Sequence, residues 1–187
     1  MGYDFLTDLW QKIMRGGSSQ CAATRKSLLR QYLITVDMIT EIAFYHLTTL
    51  PLERALPRLL EKILQVKKRA IILCTSEDRL NYLNGALWTL GKLSFIPHGS
   101  AKEGYEEDQP IWLTTKDENP NGAQFLILTE GAEAPTLSTY ERCLDLFDGN
   151  DEEAIAQARK RWTSYKNQGY TVTYWKQTES GSWEKGA

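Results

Sequence analysis

The stretch ITEIAFYHLTTLPLERALPRLLEKILQVKKRAIILC, residues 39–74, decides the fold. Its first part, Thr40 to Leu47, is rich in β-branched and aromatic residues and reads as a strand. From about Pro51 to Val66, Leu52, Leu56, Leu59, Leu60, Ile63 and Leu64 recur every three or four residues, which is one buried face of a helix. Lys67-Lys68-Arg69 ends that helix, and Ala70 to Cys74 is a continuous apolar run of the kind a strand buried on both faces needs. Ser76 then caps a second helix reaching to Leu90. Strand, helix, strand, helix in this order is a right-handed α/β unit. The expected fold class is therefore α/β.

Downstream the signals are shorter. Ile111 to Thr114 and Phe125 to Leu128 read as strands, with a polar loop over Gly99 to Gln109 and turn residues over Asp117 to Gly122. Leu137 to Phe147 is expected to hold a short strand or a turn of helix around Thr139 to Leu144. Thr171 to Lys176, TVTYWK, reads as a last strand, and the polar tail from Gln177 is expected to fray, with Trp183 its one large apolar residue.

Between these lies FDGNDEEAIAQARKRWTSYKNQGY, residues 147–170. Asp148-Gly149-Asn150 is turn chemistry, Asp151 or Asn150 can cap a helix, and Glu152 and Glu153 put negative charge where the dipole favours it. Gly169 stands where a left-handed cap is wanted. Ile155, Ala158, Trp162 and Tyr165 form an apolar stripe. Arg159, Trp162 and Lys166 share a face, so a cation, an aromatic and a second cation stand together. Such a face can grip a carboxylate attached to something apolar. Basic residues in the last turns also complement the dipole on a solvated face, and the spacing alone leaves both readings open.

The chain has 187 residues, 42% hydrophobic and 25% charged, with a formal net charge of −2. That balance disfavours a protein held on DNA by bulk electrostatics, so any nucleic-acid role is expected to be indirect. No run of 18 apolar residues exists and the N-terminus lacks a secretory h-region, so no membrane is expected. Three well-separated cysteines, Cys21, Cys74 and Cys143, fit a reducing, cytoplasmic compartment. Six tryptophans and nine tyrosines tilt the composition toward interfaces.

Residues 1–37 differ from the rest: Lys12, Arg15, Arg25, Lys26 and Arg30 outnumber Asp4, Asp8 and Asp37. Phe5 to Ile13 and Thr24 to Leu33 can form short helices separated by Gly16-Gly17-Ser18-Ser19. An interaction arm is one reading and a poorly ordered extension the other, the second being preferred. The expected organisation is an extension over 1–37, a domain over 38–176 and a polar tail over 177–187.

No motif for catalysis or cofactor binding is complete. G-x-G-x-x-G is absent, and GALWTLGK, residues 85–92, has five residues between its glycines where a phosphate loop has four, with Leu93 in place of the magnesium-binding hydroxyl. There is no serine elbow, no deaminase signature and no Cys/His cluster for a metal. The acidic group Glu103, Glu106, Glu107 and Asp108 lies in a polar loop and is expected to be solvated. No catalytic residue, cofactor or metal is expected. The alternative is a nucleotide-binding or nucleic-acid-processing enzyme on the same α/β fold.

At six places in order, IAFYHL (42–47), ALW (86–88), SFIPHG (94–99), QPIWLT (109–114), LDLFDGND (144–151) and AR-x-RW-x-x-YK-x-x-GY (158–170), the sequence resembles the chi subunit of bacterial DNA polymerase III holoenzyme. The resemblance runs from about Met38 to Trp175, and Met38 falls where family members typically begin. It implies a single three-layer domain similar to mononucleotide-binding folds, mostly parallel or mixed in its sheet, without a nucleotide site. It further implies a non-catalytic adaptor in DNA replication, linking the clamp loader, through the psi subunit, to the acidic C-terminal tail of single-stranded DNA-binding protein, which ends in a phenylalanine carboxylate. By the same resemblance Arg159, Trp162, Lys166, Trp88 and Phe147 take that tail. Phe95 and Ile96 meet psi, or a repair helicase competing for that surface. Thr163 and Ile155 stand where the family is familiar with basic residues, leaving Lys166 or Arg161 to compensate.

Overall fold

The computed structural model describes residues 40–89 and 95–186. The two helices expected in residues 1–37, the closing residue Leu90 of the second helix and Ser94 of SFIPHG lie outside the described residues. The strand–helix–strand–helix opening is present as β1 (Glu41–Leu47), α1 (Leu52–Gln65), β2 (Ala70–Leu73) and α2 (Glu77–Thr89). The Ser76 Oγ accepts from the backbone N–H of Arg79 at 3.2 Å, the expected cap. β3 (His98–Ser100), β4 (Ile111–Thr114), β5 (Phe125–Thr129) and β6 (Arg142–Asp148) follow, then α3 (Glu152–Asn167), β7 (Thr171–Gln177) and β8 (Trp183–Lys185).

The eight strands form one sheet in the order β3-β4-β2-β5-β6-β1-β7-β8. Every neighbouring pair is parallel except the β7–β8 edge. The sheet separates two cores because successive side chains of a strand point to opposite faces. On one face Ala43, Tyr45, Leu47, Ile72 and Leu144 pack under the leucines of α1 and α2. On the other, Ile42, Phe44, Ile71, Leu126 and Cys143 pack under Ala158 and Tyr165 of α3. Helix, sheet, helix is the three-layer α/β architecture that the opening stretch predicts.

Three expectations need correction. The loop assigned to Gly99–Gln109 begins with a strand, since β3 takes His98, Gly99 and Ser100 onto the edge beside β4. Of the two readings of Leu137–Phe147 the strand holds, later and longer than expected: a 3-10 turn over Leu137–Thr139 leads into β6, Arg142–Asp148, buried between β1 and β5. The tail does not fray. Gly181, at φ 74°, turns the chain back so that β8 pairs with β7, and Trp183 stands edge-on to Tyr45 at 4.7 Å. An aromatic partner on β1 gives the hairpin a place to bury its tryptophan, which composition could not show.

Gln177 fastens this edge. It is 3% exposed, and its Oε1 accepts from three successive backbone N–H groups, Thr48 at 3.1 Å, Thr49 at 3.0 Å and Leu50 at 2.9 Å. Those groups belong to the loop between β1 and α1. In nucleotide-binding α/β folds the loop after the first strand cradles a phosphate with successive N–H groups. Here an internal carbonyl oxygen fills that cradle.

Candidate functional site

The helix α3 is set in place by its ends. The Asp151 carboxylate accepts from the Glu153 N–H at 2.8 Å and closes the first turn. Gly169, at φ 88°, lets the Tyr170 N–H reach back to the Tyr165 carbonyl at 3.1 Å, the bond of a Schellman cap. Before the helix, the Gly149 N–H reaches the Leu47 carbonyl at 2.6 Å. A Cβ at Gly149 would stand 2.7 Å from that oxygen and inside the His46 ring, so only glycine admits this approach.

The helix is also pinned from beneath. Arg161 is buried and forks onto Asp145 of β6, Nε to Oδ2 at 2.7 Å and Nη2 to Oδ1 at 2.8 Å. Burial pushes the Asp145 carboxyl up from its ordinary value, and the guanidinium opposes that. Arg161 is therefore unavailable as the compensating surface cation. Its place on α3 lies between Ala158 and Tyr165, on the inward face.

With Arg161 inside, α3 turns Ile155, Ala158, Arg159 and Trp162 toward a cleft of about 310 Å³. Phe44 and His46 of β1, Phe147 of β6 and Tyr174 of β7 complete the lining. The floor is aromatic: Trp162 meets Phe44 edge-on at 5.3 Å, and His46 lies 5.0 Å from Phe147. Arg159 is exposed and is the one lysine or arginine in the lining. No ion pair engages it among the described residues. Ile155 contributes apolar wall where the family resemblance led to a cation. Thr163 bonds back to the Arg159 carbonyl at 3.0 Å and stays outside. A cation and aromatic rings lining one cleft can hold a carboxylate and an apolar group attached to it.

Of the five residues the sequence assigned to one site, three meet here: Arg159, Trp162 and Phe147. Lys166 is exposed further along α3 and does not line the cleft. Trp88 is elsewhere. It sits at the end of α2, whose leucines pack on the opposite face of the sheet, beside the far edge strand β3. There it is 54% exposed and lies 6.1 Å from Phe95, which is 73% exposed. The two form an aromatic patch flanked by His98, 4.9 Å from Trp88. Ile96, expected to share an interface with Phe95, is instead 2% exposed and belongs to the core under α1 and α2. Adjacent residues of an extended segment point opposite ways, so one of this pair had to turn inward.

Four lining residues were not read from the sequence: Phe44, His46, Ala158 and Tyr174 as walls of one cleft. Phe44 and His46 are two apart in a strand and Tyr174 comes from its neighbour, so the signal was alternation combined with a pairing that only the fold supplies.

Other chemistry is sparse. Burial pushes the Cys74 thiol up to about 11 and Cys143 up to about 12, which makes both packing residues. Glu103 is not merely solvated: it accepts from the Ser100 N–H at 2.8 Å and from the Ser100 hydroxyl at 2.6 Å, closing the turn after β3. Among the described residues no group of three metal-binding side chains comes together, and no helix is long and apolar enough to cross a membrane.

Residues 39–173 match the family model described as DNA polymerase III chi subunit, HolC. The chain is similar to the probable DNA polymerase III subunit chi of Rickettsia prowazekii, 26% identical over 159 residues, or 80% of this chain and 94% of the relative. It is 31% identical over 117 residues to DNA polymerase III subunit chi of Pseudomonas aeruginosa, covering 62% of this chain and 79% of that one. With DNA polymerase III subunit chi of Haemophilus influenzae it shares 26% identity over 134 residues, 70% and 92% of the two chains.

Proposed function

The chain belongs to the DNA polymerase III chi subunit family, an accessory rather than catalytic part of that polymerase, and on this premise we propose that it is an adaptor with two separate docking surfaces. The cleft beside α3 takes the acidic C-terminal tail of single-stranded DNA-binding protein. The Trp88–Phe95 patch takes the psi subunit of the clamp loader, or a repair helicase that competes for the same place.

The observation that carries the first assignment is Arg159 lining the same cleft as Phe44, Phe147 and Trp162. A guanidinium pairs with a terminal carboxylate in a planar, two-bond contact. The adjoining aromatic cleft receives the phenylalanine ring, worth about 1.5–3 kcal/mol when fully buried. One such contact is weak alone and gains from several tails presented together. The second assignment rests on two large aromatics exposed side by side, the residue type that anchors interfaces.

Calorimetric titration with an acidic, phenylalanine-terminated peptide tests the first surface. Wild type binds it and Arg159→Ala does not, with thermal unfolding unchanged. Equal affinity in both proteins overturns the assignment. The rival, an enzyme or nucleotide-binding protein on this fold, predicts thermal stabilisation by ATP, NAD or S-adenosylmethionine and none by the peptide.

A further inference from the structure

His46 and Tyr174 sit in the wall of the cleft opposite α3, and the His46 Nδ1 lies 2.5 Å from the Tyr174 Oη. Two arrangements of this bond are chemically possible, and they leave the cleft with different donors. With a neutral imidazole that carries its proton on Nε2, Nδ1 accepts and the phenol spends its only proton on it. With an imidazolium, Nδ1–H donates to the phenol oxygen, and the phenol proton is released to turn toward the cleft. We propose that Tyr174 is the second hydrogen-bond donor for a bound carboxylate beside Arg159, and that the protonation of His46 sets whether this donor is free.

The inference deepens the tail-binding reading and rests on it. Its motive is the cation count: Ile155 and Thr163 leave Arg159 as the one lysine or arginine in the lining, so a terminal carboxylate has unfilled acceptor sites. Tyr174 belongs to β7 and His46 to the neighbouring β1, two strands that pair through six residues, which fixes the two rings against each other. The ring of His46 is held further by Phe147 at 5.0 Å and by the close approach of Gly149. Its Nε2 is buried against the Gly149 backbone, so Nδ1, through Tyr174, is the ring atom whose polar partner also lines the cleft.

The groups facing His46 have opposite effects. Burial, Lys176 of β7 and Arg159 of α3 disfavour the imidazolium, while the Gly149 backbone and Asp148 of β6 favour it, and the balance lies below the ordinary histidine value. An anionic ligand in the cleft adds a negative charge on the side of Arg159. By linkage it draws the proton onto His46, and acidification strengthens its binding.

The test is the affinity of the acidic, phenylalanine-terminated peptide between pH 7.5 and pH 5.5, above the range in which its carboxylates titrate. Wild-type affinity rises on acidification, by at most about tenfold per pH unit for one linked proton. His46→Leu flattens the profile, and Tyr174→Phe weakens binding most at pH 5.5 and shrinks the rise. The ring signals of His46, followed by NMR, titrate at higher pH with peptide than without. A flat wild-type profile, or a rise that either variant leaves unchanged, overturns the role of the pair while leaving tail binding intact. No binding at any pH overturns the tail-binding reading itself and this inference with it.

Discussion

Arg161 and Asp145 hold each other through two bonds of 2.7 and 2.8 Å beneath the helix that carries Arg159 and Trp162. One arginine of the AR-x-R pair is thus structural and the other faces the cleft, although both looked alike on spacing. Asp145→Leu leaves the guanidinium buried without its counter-charge. Breaking such a pair costs about 3 kcal/mol, the lower end of the usual range, because Arg161 borders an open hollow that also contains Glu133. Replacing both, as Asp145→Leu with Arg161→Met, recovers most of that loss. Urea unfolding of the three variants measures it, and additive losses in the double variant contradict the pairing.

Arg159→Lys keeps the charge and the fold but removes the planar fork. Peptide affinity is expected to fall roughly tenfold, while the dependence on salt stays similar because the charge is unchanged. Calorimetry at two ionic strengths separates the two effects. If lysine binds as well as arginine, the terminal carboxylate is not held by two parallel bonds.

Trp88→Ala and Phe95→Ala are expected to leave peptide binding at the α3 cleft untouched, since the patch lies on the other face of the sheet. Each is expected to weaken binding of a psi-type partner, by about 2 kcal/mol if the aromatic is a central anchor. Co-purification with psi and peptide titration, run on the same variants, read the two surfaces separately. Loss of both contacts together argues against two independent surfaces.

Gln177→Ala strips the acceptor from three part-buried N–H groups and unfastens the hairpin edge. A loss of about 1 kcal/mol is expected, the low end of the cost of unsatisfied donors because these N–H groups are only part-buried. Hydrogen exchange at Thr48, Thr49 and Leu50 is expected to speed up, and Trp183 fluorescence to shift as the ring leaves Tyr45. Unchanged protection at those amides would mean water replaces the side chain without cost.

The parts of the fold legible in the sequence were those whose pattern is local. The leucines of α1 repeat on a helical period, and the caps Ser76, Asp151 and Gly169 each act within four residues of themselves. The parts that stayed hidden depend on pairing across the chain. Trp183 looked like a stray aromatic in a polar tail because its partner Tyr45 is 138 positions away. Arg161 looked like one more surface cation because Asp145 sat in a segment that read as strand or helix. An acidic residue inside the apolar run CLDLF was the available sign that this strand carries a buried partner. The cleft was half legible: Arg159, Trp162 and Phe147 came from the motif, while Trp88 was drawn to it because adjacency in a family pattern carries no information about which face of a sheet a helix covers.

Gln177 has a consequence beyond stability. The loop that related folds keep empty for a phosphate is here stoppered by the chain's own side chain, and the stopper is also the bolt of the edge hairpin. A phosphate could take those three N–H groups only by displacing the Gln177 oxygen from them. Anchoring the hairpin and cradling a phosphate are therefore mutually exclusive uses of the same three backbone donors.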